Sequence, residues 1–278
     1  MNKLDNSKRA KVVSALVEGN SIRATVRMTG VAKNTISKLL LELGAVCSDY
    51  MDRTLVNLTC KRIQCDEIWS FVAAKQKNVT PELEAKGHAG DVWTWVAMDA
   101  DTKLICSWMV GSRDAFIALQ FMKDLQSRLV NRVQLTTDGH AAYLYAVDNT
   151  FGTEIDYTML IKQYGADRTG DTRYSPAECI GCTQKPVSGD ADPKHVSTSY
   201  IERQNLTMRM SIRRFTRLTN AFSKKLENHI ASIALHYMHY NFCRIHQSLR
   251  VTPAMQAGVA EHVWSIAELI ALLAPQTR

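Results

Sequence analysis

The chain has 278 residues, 46% of them hydrophobic, and a formal net charge of +7 at pH 7. This composition supports one large domain with a real core and one small domain. The absence of any run of about 18 apolar residues excludes a transmembrane helix at the level of the sequence. The seven cysteines are odd in number and irregularly spaced, which favours reduced thiols in a cytosol over a disulfide framework.

The charge is distributed unevenly along the chain. Residues 1–45 hold eight Lys or Arg and three Asp or Glu, residues 46–199 hold 16 and 20, and residues 200–250 hold nine and two. Two basic regions around a mildly acidic centre indicate a polyanion that is held in two places. Solvated basic helices remain the alternative, because charge alone does not distinguish the two.

The first 45 residues have the pattern of a small all-α helix–turn–helix domain. Ser21 can cap its second helix, and Gly30 supplies the tight turn that follows. We expect the third helix to run over residues 33–43 and to end at Gly44. Residues 46–60 are then predicted to be a linker.

The exposed start of that third helix can meet base edges and phosphates in a major groove. The candidate DNA-binding residues are Lys33, Asn34, Thr35, Ser37 and Lys38. A three-helix packing module without DNA contact is the alternative interpretation.

The middle of the chain reads as an α/β domain over residues 61–257, with a helical tail over residues 258–278. Strands are predicted over residues 62–73, 92–98, 104–110, 133–137 and 155–161, and helices over residues 114–129, over residues 141–147 and from Ser199 onward. This order matches a mixed five-stranded sheet of the ribonuclease-H-like type.

A segment before the last helix of that domain, residues 165–198, is predicted to be a flexible insertion because it is rich in proline and glycine. We expect it to become ordered on DNA or on a second protomer. Within it, Cys179 and Cys182 have metal-ligand spacing. A zinc site would need two more ligands, so free thiols are the favoured interpretation.

Three carboxylates stand out by their contexts. Asp66 lies within the first predicted strand, Asp138 ends the fourth, and Glu202 lies in the helix that begins near Ser199. A charge in or beside an apolar strand is costly to bury without a partner. Three such acids would repel one another unless divalent cations joined them, as in a two-metal site for phosphoryl transfer. Glu67 is expected to point away from Asp66, because side chains alternate along a strand.

A run of arginines follows Glu202 along the chain: Arg209, Arg213, Arg214 and Arg217. Arg209 is seven residues beyond Glu202 and falls on the same helix face. Arginines one to three turns from a metal-binding carboxylate can hold a scissile phosphate and its flanking strand. A basic amphipathic helix with an incidental glutamate is the alternative.

Several motifs together resemble a DDE transposase of the insertion sequence 1 family. They are DEIWSF at residues 66–71, TDG at 137–139, YIERQNLTMR at 200–209, RRFTRLTNAFSKK at 213–225 and YNFCRIH at 240–246. The resemblance covers roughly residues 8–257. Family members often carry a cysteine-paired zinc finger ahead of the helix–turn–helix. This sequence shows none there, so recognition of the transposon end is expected to depend on the helix–turn–helix.

The resemblance implies an enzyme that cleaves transposon ends and joins them to target DNA. Asp66, Asp138 and Glu202 would be its catalytic residues and would bind two Mg²⁺ (or Mn²⁺) ions, which hard oxygen ligands favour. A metal-activated water would cut the end, and the freed 3′-OH would attack the target. The expected partners are double-stranded DNA and further copies of the chain, in a homodimer or larger assembly on the cytoplasmic nucleoid. A ribonuclease-H-like endonuclease and a helix–turn–helix transcription regulator remain the alternatives.

Overall fold

A computed structural model describes residues 4–165, 179–217 and 219–274. Its first three helices are α1 (Asn6–Val17), α2 (Ile22–Thr29) and α3 (Lys33–Thr54). Ser21 caps α2 as expected, and its hydroxyl accepts a hydrogen bond from the Ala24 N–H at 3.1 Å. Gly30 then ends α2 with a positive φ of 68°, which a glycine adopts without strain.

The third helix is longer than predicted. It continues through Gly44 to Thr54, so most of the expected linker over residues 46–60 is helical. Gly44 lies against Ala231 of a later helix, α8 (Leu226–Met238), and a Cβ built on it would lie 2.5 Å from the Ala231 Cα atom. The glycine therefore permits a close approach of two helices and is not a stop signal.

A six-stranded sheet forms the centre of the molecule. Its strands are β1 (Arg62–Val72), β2 (Gly90–Asp99), β3 (Ile105–Gly111), β4 (Gln134–Thr137), β5 (Asp156–Tyr164) and β6 (Cys179–Ser188). The strand order is β3-β2-β1-β4-β5-β6. Strands β1, β4 and β5 are parallel to one another, whereas β2, β3 and β6 each pair antiparallel with a neighbour. The mixed α/β class is confirmed, but the prediction of five strands was wrong.

The missed strand, β6, lies in the segment predicted to be a flexible insertion. Residues 166–178 of that segment lie outside the described residues, whereas residues 179–188 form an edge strand with mostly exposed side chains. Pro186 argues against a strand in a sequence pattern, but an edge strand tolerates proline because one of its sides makes no ladder hydrogen bonds. A polar edge strand also lacks the apolar alternation that identified the other five.

The remaining helices are α4 (Pro81–Glu84), α5 (Ala115–Arg128), α6 (Ala142–Phe151), α7 (Ser199–Ser211), α9 (Pro253–Gln256) and α10 (Ile266–Ala271). Along β1, Gln64 and Ser70 face α7 and α8, to which they are hydrogen-bonded. Helices α5 and α6 pack on the opposite face of the sheet, around the buried Trp95 and Tyr143. The described helices include none with the length and hydropathy that a membrane crossing requires.

The N-terminal helices are joined to this core. Helix α3 packs along α8 and α1 packs against α10, and the buried side chains of all four belong to one continuous hydrophobic cluster with the sheet. The predicted domain boundary at residue 45 therefore falls inside a helix and inside a shared core. The α1–α2 turn also approaches the end of α7, because a Cβ on Gly19 would lie 3.1 Å from the Met210 carbonyl oxygen.

Candidate active site

The sheet places the two aspartates side by side. Strands β1 and β4 are parallel with Cys65 opposite Thr137, so the residues that follow, Asp66 and Asp138, emerge next to each other. Both line a cleft of about 540 Å³, and Glu202 from the first turn of α7 lines the same cleft. The structure thus brings the three predicted acids, from three different elements, to one cavity.

A fourth acid, Glu67, lies close to the two aspartates. The side chain of Glu67 leaves β1 on the face opposite Asp66, as strand alternation predicts. However, one oxygen each of Asp66, Glu67 and Asp138 lie within 4.8 Å of one another. The expectation that Glu67 points away was therefore incomplete, because a long side chain can turn back toward the end of β4. The sequence signal was the pair of adjacent acids within an apolar strand.

The electrostatics of this cluster show an excess of negative charge. Burial raises the pKa of the Asp66 carboxyl to about 7, and the neighbouring charges of Glu67 and Asp138 add to the effect. Burial, followed by Asp138, raises the pKa of Glu67 as well. Close carboxylates repel one another, and a bound cation would remove that repulsion.

The donor set fits a divalent cation. All the candidate ligands are carboxylate oxygens, which suit Mg²⁺ or Mn²⁺. Glu67 Oε1 is buried and faces the hydroxyl of Tyr143, which favours the charged form of the carboxylate. The site therefore holds an excess of negative charge that a divalent cation would neutralise.

The two aspartates are held in place by neighbouring donors. Asn205 of α7 donates its side-chain N–H to Asp66 Oδ2 at 2.8 Å, and the backbone N–H of Glu67 donates to Asp66 Oδ1 at 2.8 Å. The backbone N–H of His140 donates to Asp138 Oδ1 at 2.9 Å. Each aspartate is therefore oriented before any ligand binds.

The start of α7 is fixed to the same strand. Gln64 is buried in β1, and its Oε1 accepts the backbone N–H groups of Tyr200 and Ile201 at 3.0 and 3.1 Å. It satisfies two of the N–H groups that a helix leaves unpaired at its N-terminus. Because Gln64 is two residues before Asp66, this contact aligns the first turn of α7, and with it Glu202, with the aspartates.

Glu202 is held apart from the three-acid cluster. Its Oε1 accepts hydrogen bonds from Lys162 Nζ on β5 and from the Thr198 hydroxyl. The carboxylate therefore already has a cationic partner at the cleft. Its own charge contributes only the last and smallest effect on the pKa of Asp66.

Arg113 is a cleft residue that the sequence motifs did not identify. It lies between β3 and α5, donates its Nε–H to Glu67 Oε2 at 2.9 Å, and approaches Asp138 Oδ2 with Nη2 at 3.4 Å. Its guanidinium lies over the Trp93 ring, with Cζ 4.9 Å from the ring centroid. An isolated arginine in a turn has no spacing pattern that could reveal this role.

The predicted DNA-binding residues of α3 lie at the start of that helix. The side chains of Lys33, Asn34, Thr35 and Lys38 are exposed, and that of Ser37 is half-buried. Lys38 lies 3.7 Å from Glu42, which is a weak, exposed ion pair. These positions leave the start of α3 accessible to a partner.

The arginines that follow Glu202 divide into two groups. Arg213 and Arg217 are exposed. Arg209 and Arg214 are half-buried, and burial lowers the pKa of each guanidinium to about 10, with Arg217 contributing at Arg209. Arg214 also donates a hydrogen bond to the Ser223 hydroxyl at 3.2 Å, so it takes part in the packing of the protein.

Within the described residues, the cysteine pair of β6 belongs to no group of three potential metal ligands. Cys179 and Cys182 are exposed, with their sulfurs 3.9 Å apart. In the described part of the chain, the group of three or more potential ligands consists of Asp66, Glu67 and Asp138. A zinc site at the cysteines therefore lacks support there.

No protein-family model and no curated protein matches the chain. Among solved structures, it is similar to a piggyBac transposase synaptic complex with hairpin DNA, with 11% identity and a TM-score of 0.43 over 98% of this chain and 71% of the other. It is also similar to a Mos1 transposase paired-end complex (14% identity, TM-score 0.26, 56% and 60% covered) and to a Mos1 strand transfer complex (14%, 0.25, 86% and 76%). Structural similarity at such low identity and TM-score does not indicate the chemistry of this chain.

Proposed function

We propose that the protein is a DDE-type DNA transposase, similar to those of the insertion sequence 1 family, with Asp66, Asp138 and Glu202 as its catalytic residues. The observation that supports this proposal most directly is that these acids, which lie far apart in the chain, line one cleft. The motifs around all three residues resemble those of that family. A ligand-sensing regulator would have no need for this arrangement.

Two Mg²⁺ or Mn²⁺ ions would be held by Asp66, Asp138 and Glu202, with Glu67 beside them. Ions at such a site supply an activated water and stabilise the leaving oxygen during phosphodiester cleavage and strand transfer. The protein orients the ligands: Asn205 holds Asp66, and the backbone of His140 holds Asp138. Lys162 pairs with Glu202 and would compete with a cation for that carboxylate.

The sheet also supports a ribonuclease-H-like core. Its first five strands have the order β3-β2-β1-β4-β5, with β2 antiparallel to β1 and with β4 and β5 parallel to it. This arrangement puts the middle of β1 and the end of β4 at the same place. A sixth strand on the edge beside β5 leaves that relationship unchanged.

Double-stranded DNA is the proposed partner. We assign α2 and α3 to the helix–turn–helix that reads the transposon end through Lys33, Asn34, Thr35, Ser37 and Lys38. Arg213 and Arg217, which are exposed, would contact phosphates of the bound DNA together with the half-buried Arg209, and Arg214 would support the segment. Paired transposon ends would be held by a homodimer or a larger assembly on DNA.

The substitution Asp138→Asn tests this function. The wild-type protein is expected to cut DNA that carries candidate terminal repeats when Mg²⁺ or Mn²⁺ is supplied, and the variant is expected to bind that DNA equally well without cutting it. Joining of the cut ends to a target plasmid would distinguish a transposase from an endonuclease with the same site. Equal cleavage by both proteins, or none by either, would contradict the proposal.

A further inference from the structure

The backbone that carries Arg113 is fixed on both sides. The indole N–H of Trp95 donates to the carbonyl oxygen of Ser112 at 3.1 Å. On the other side, Asp114 caps α5 by accepting the backbone N–H of Ile117 at 2.9 Å. A buried tryptophan and a helix cap therefore fix the position of the Arg113 backbone.

The guanidinium is fixed as well. It donates to Glu67 at 2.9 Å and lies over the ring of Trp93. The Glu67 side chain is only 1% exposed, and a buried carboxylate without its cationic partner is strongly destabilising. The pair therefore holds Arg113 in one orientation.

This orientation leaves donors available at the cleft. The contact with Asp138, at 3.4 Å, is longer than the 2.7–2.9 Å that is usual for a charge-assisted hydrogen bond. A guanidinium has five N–H donors, and the two contacts use two of them. Within residues 4–165, 179–217 and 219–274, no other acceptor is hydrogen-bonded to Arg113. Its side chain is 35% exposed and lines the cleft.

We propose that Arg113 binds a phosphodiester group of the substrate DNA in the cleft, and that Glu67 is the positioning residue that holds Arg113 there. This inference rests on the proposed function. The planar fork of an arginine matches two oxygens of one phosphate, which a lysine ammonium does not. The cleft is also lined by Asp66, Asp138 and Glu202, which repel a polyanion, so a fixed cation compensates that repulsion next to Asp138.

The opposing view is that Arg113 only neutralises Glu67 and Asp138 and never contacts DNA. The two roles differ in how DNA binding responds to salt. Each phosphate neutralised by the protein contributes about 0.9 to the slope of log Kobs against log salt concentration. A cation that contacts no phosphate contributes nothing to that slope.

The experiment uses the full chain, a mixed-sequence duplex of about 30 base pairs, and Ca²⁺ to prevent cleavage. Because Arg113→Gln alone would leave Glu67 buried and unpaired, the main variant is the double substitution Glu67→Gln/Arg113→Gln, which puts a neutral hydrogen-bonding pair at the same place. Lys123→Gln is the matched control, since it removes one positive charge from an exposed position on α5. Thermal unfolding establishes that both variants fold.

We expect the double variant to bind about 10-fold more weakly, with a salt slope smaller by about 0.9. The Lys123→Gln protein should match the wild type in DNA affinity and in salt slope. A double variant with the affinity and slope of the wild type would overturn the inference.

Glu67→Asp alone tests the positioning role. It keeps both charges but shortens the side chain that holds Arg113, so the slope should stay unchanged while the affinity falls several-fold. Unchanged affinity would overturn the role of Glu67. Because none of these measurements requires cleavage, they remain decisive if the wild type cuts no DNA, which would contradict the proposed function alone. A wild type that cuts DNA and a double variant with normal binding would contradict only the role of Arg113.

Discussion

Asp66 and Glu67 are consecutive residues of β1 whose side chains leave opposite faces of the sheet, and their carboxylates nevertheless meet near Asp138 within 4.8 Å. The end of β4 makes this possible, because Asp138 lies just beyond the sheet and is accessible from both faces. Asn205 holds Asp66 from the α7 side, and Arg113 holds Glu67 from the α5 side. The acid cluster is therefore supported by two independent layers of helix.

The support from the α7 side can be tested at Asn205. Asn205→Ala removes the donor to Asp66 Oδ2, and we expect it to weaken Mn²⁺ binding by about 10- to 100-fold, as is usual when a residue that orients a metal ligand is lost. Electron paramagnetic resonance of free Mn²⁺ during titration measures this directly. Asn149→Ala, on the exposed part of α6, should bind Mn²⁺ like the wild type. If the wild type and both variants bind Mn²⁺ with equal affinity, Asn205 does not orient Asp66 for metal binding.

The role of Lys162 gives a second prediction. Lys162 pairs with Glu202, so a cation must compete with the ammonium for that carboxylate. Lys162→Met should therefore raise Mn²⁺ affinity several-fold, whereas Lys123→Met should not. If Lys162→Met binds Mn²⁺ no more tightly than the wild type does, Glu202 does not share in the metal site.

The contact between α3 and α8 predicts an unusual effect of a glycine substitution. Gly44→Ala would normally favour a helix by about 1 kcal/mol. Here the added methyl group would lie 2.5 Å from both the Cα and the Cβ of Ala231. We therefore expect a net loss of about 1–3 kcal/mol in the free energy of unfolding, as in other overpacked cores.

Denaturant unfolding of Gly44→Ala, with and without Ala231→Gly, measures this effect. The second substitution removes one of the two short contacts, so it should recover part of the loss when the two are combined. A Gly44→Ala protein more stable than the wild type would show that α3 and α8 do not approach so closely.

Two buried histidines predict how stability depends on pH. Burial lowers the pKa of His229 and of His236 to about 3 each. In the unfolded chain each would take up a proton below about pH 6.5. At these two histidines the unfolded state therefore binds more protons between about pH 6.5 and pH 3, so their contribution to stability should fall as the pH falls through that window and stay level above it.

His236→Phe isolates one of these contributions. The variant should lose stability less steeply than the wild type below pH 6, by up to about 1.4 kcal/mol per pH unit. Tyr145→Phe, which removes a hydroxyl at an exposed position of α6, should leave the slope unchanged. Parallel curves for His236→Phe and the wild type would show that His236 accepts a proton in the folded protein.

Local patterns predicted much of the fold. The first strand was expected over residues 62–73 and runs over Arg62–Val72, and Asp114 caps α5 where its sequence context indicated a helix start. The errors arose where a residue serves a distant partner. The sequence around Gly44 is typical of a helix end, but in the fold this glycine allows close contact with Ala231. Strand β6 has mostly polar residues and is held in the sheet by pairing with β5.

The candidate site shows the same division. Asp66, Asp138 and Glu202 could be identified because each lies in a motif with an unusual acid. Arg113 and Lys162 could not, because single basic residues at the end of a turn and on a strand acquire a role only when the sheet is assembled. Asn241 acquires its role in the same way, because it is buried and bonds to both backbone groups of Ile105, 136 residues away in the chain.

The proposed function requires one oxygen-lined site for divalent cations, and a crystal of the full chain grown with Mn²⁺ and measured at the Mn absorption edge tests this requirement. We expect an anomalous peak about 2.1 Å from a carboxylate oxygen of both Asp66 and Asp138, the spacing expected of a small divalent cation with oxygen ligands. We also expect Glu202 to have moved from Lys162 toward the metal. No peak at the aspartates under saturating Mn²⁺, or a peak only elsewhere in the molecule, would show that these carboxylates do not form a metal site.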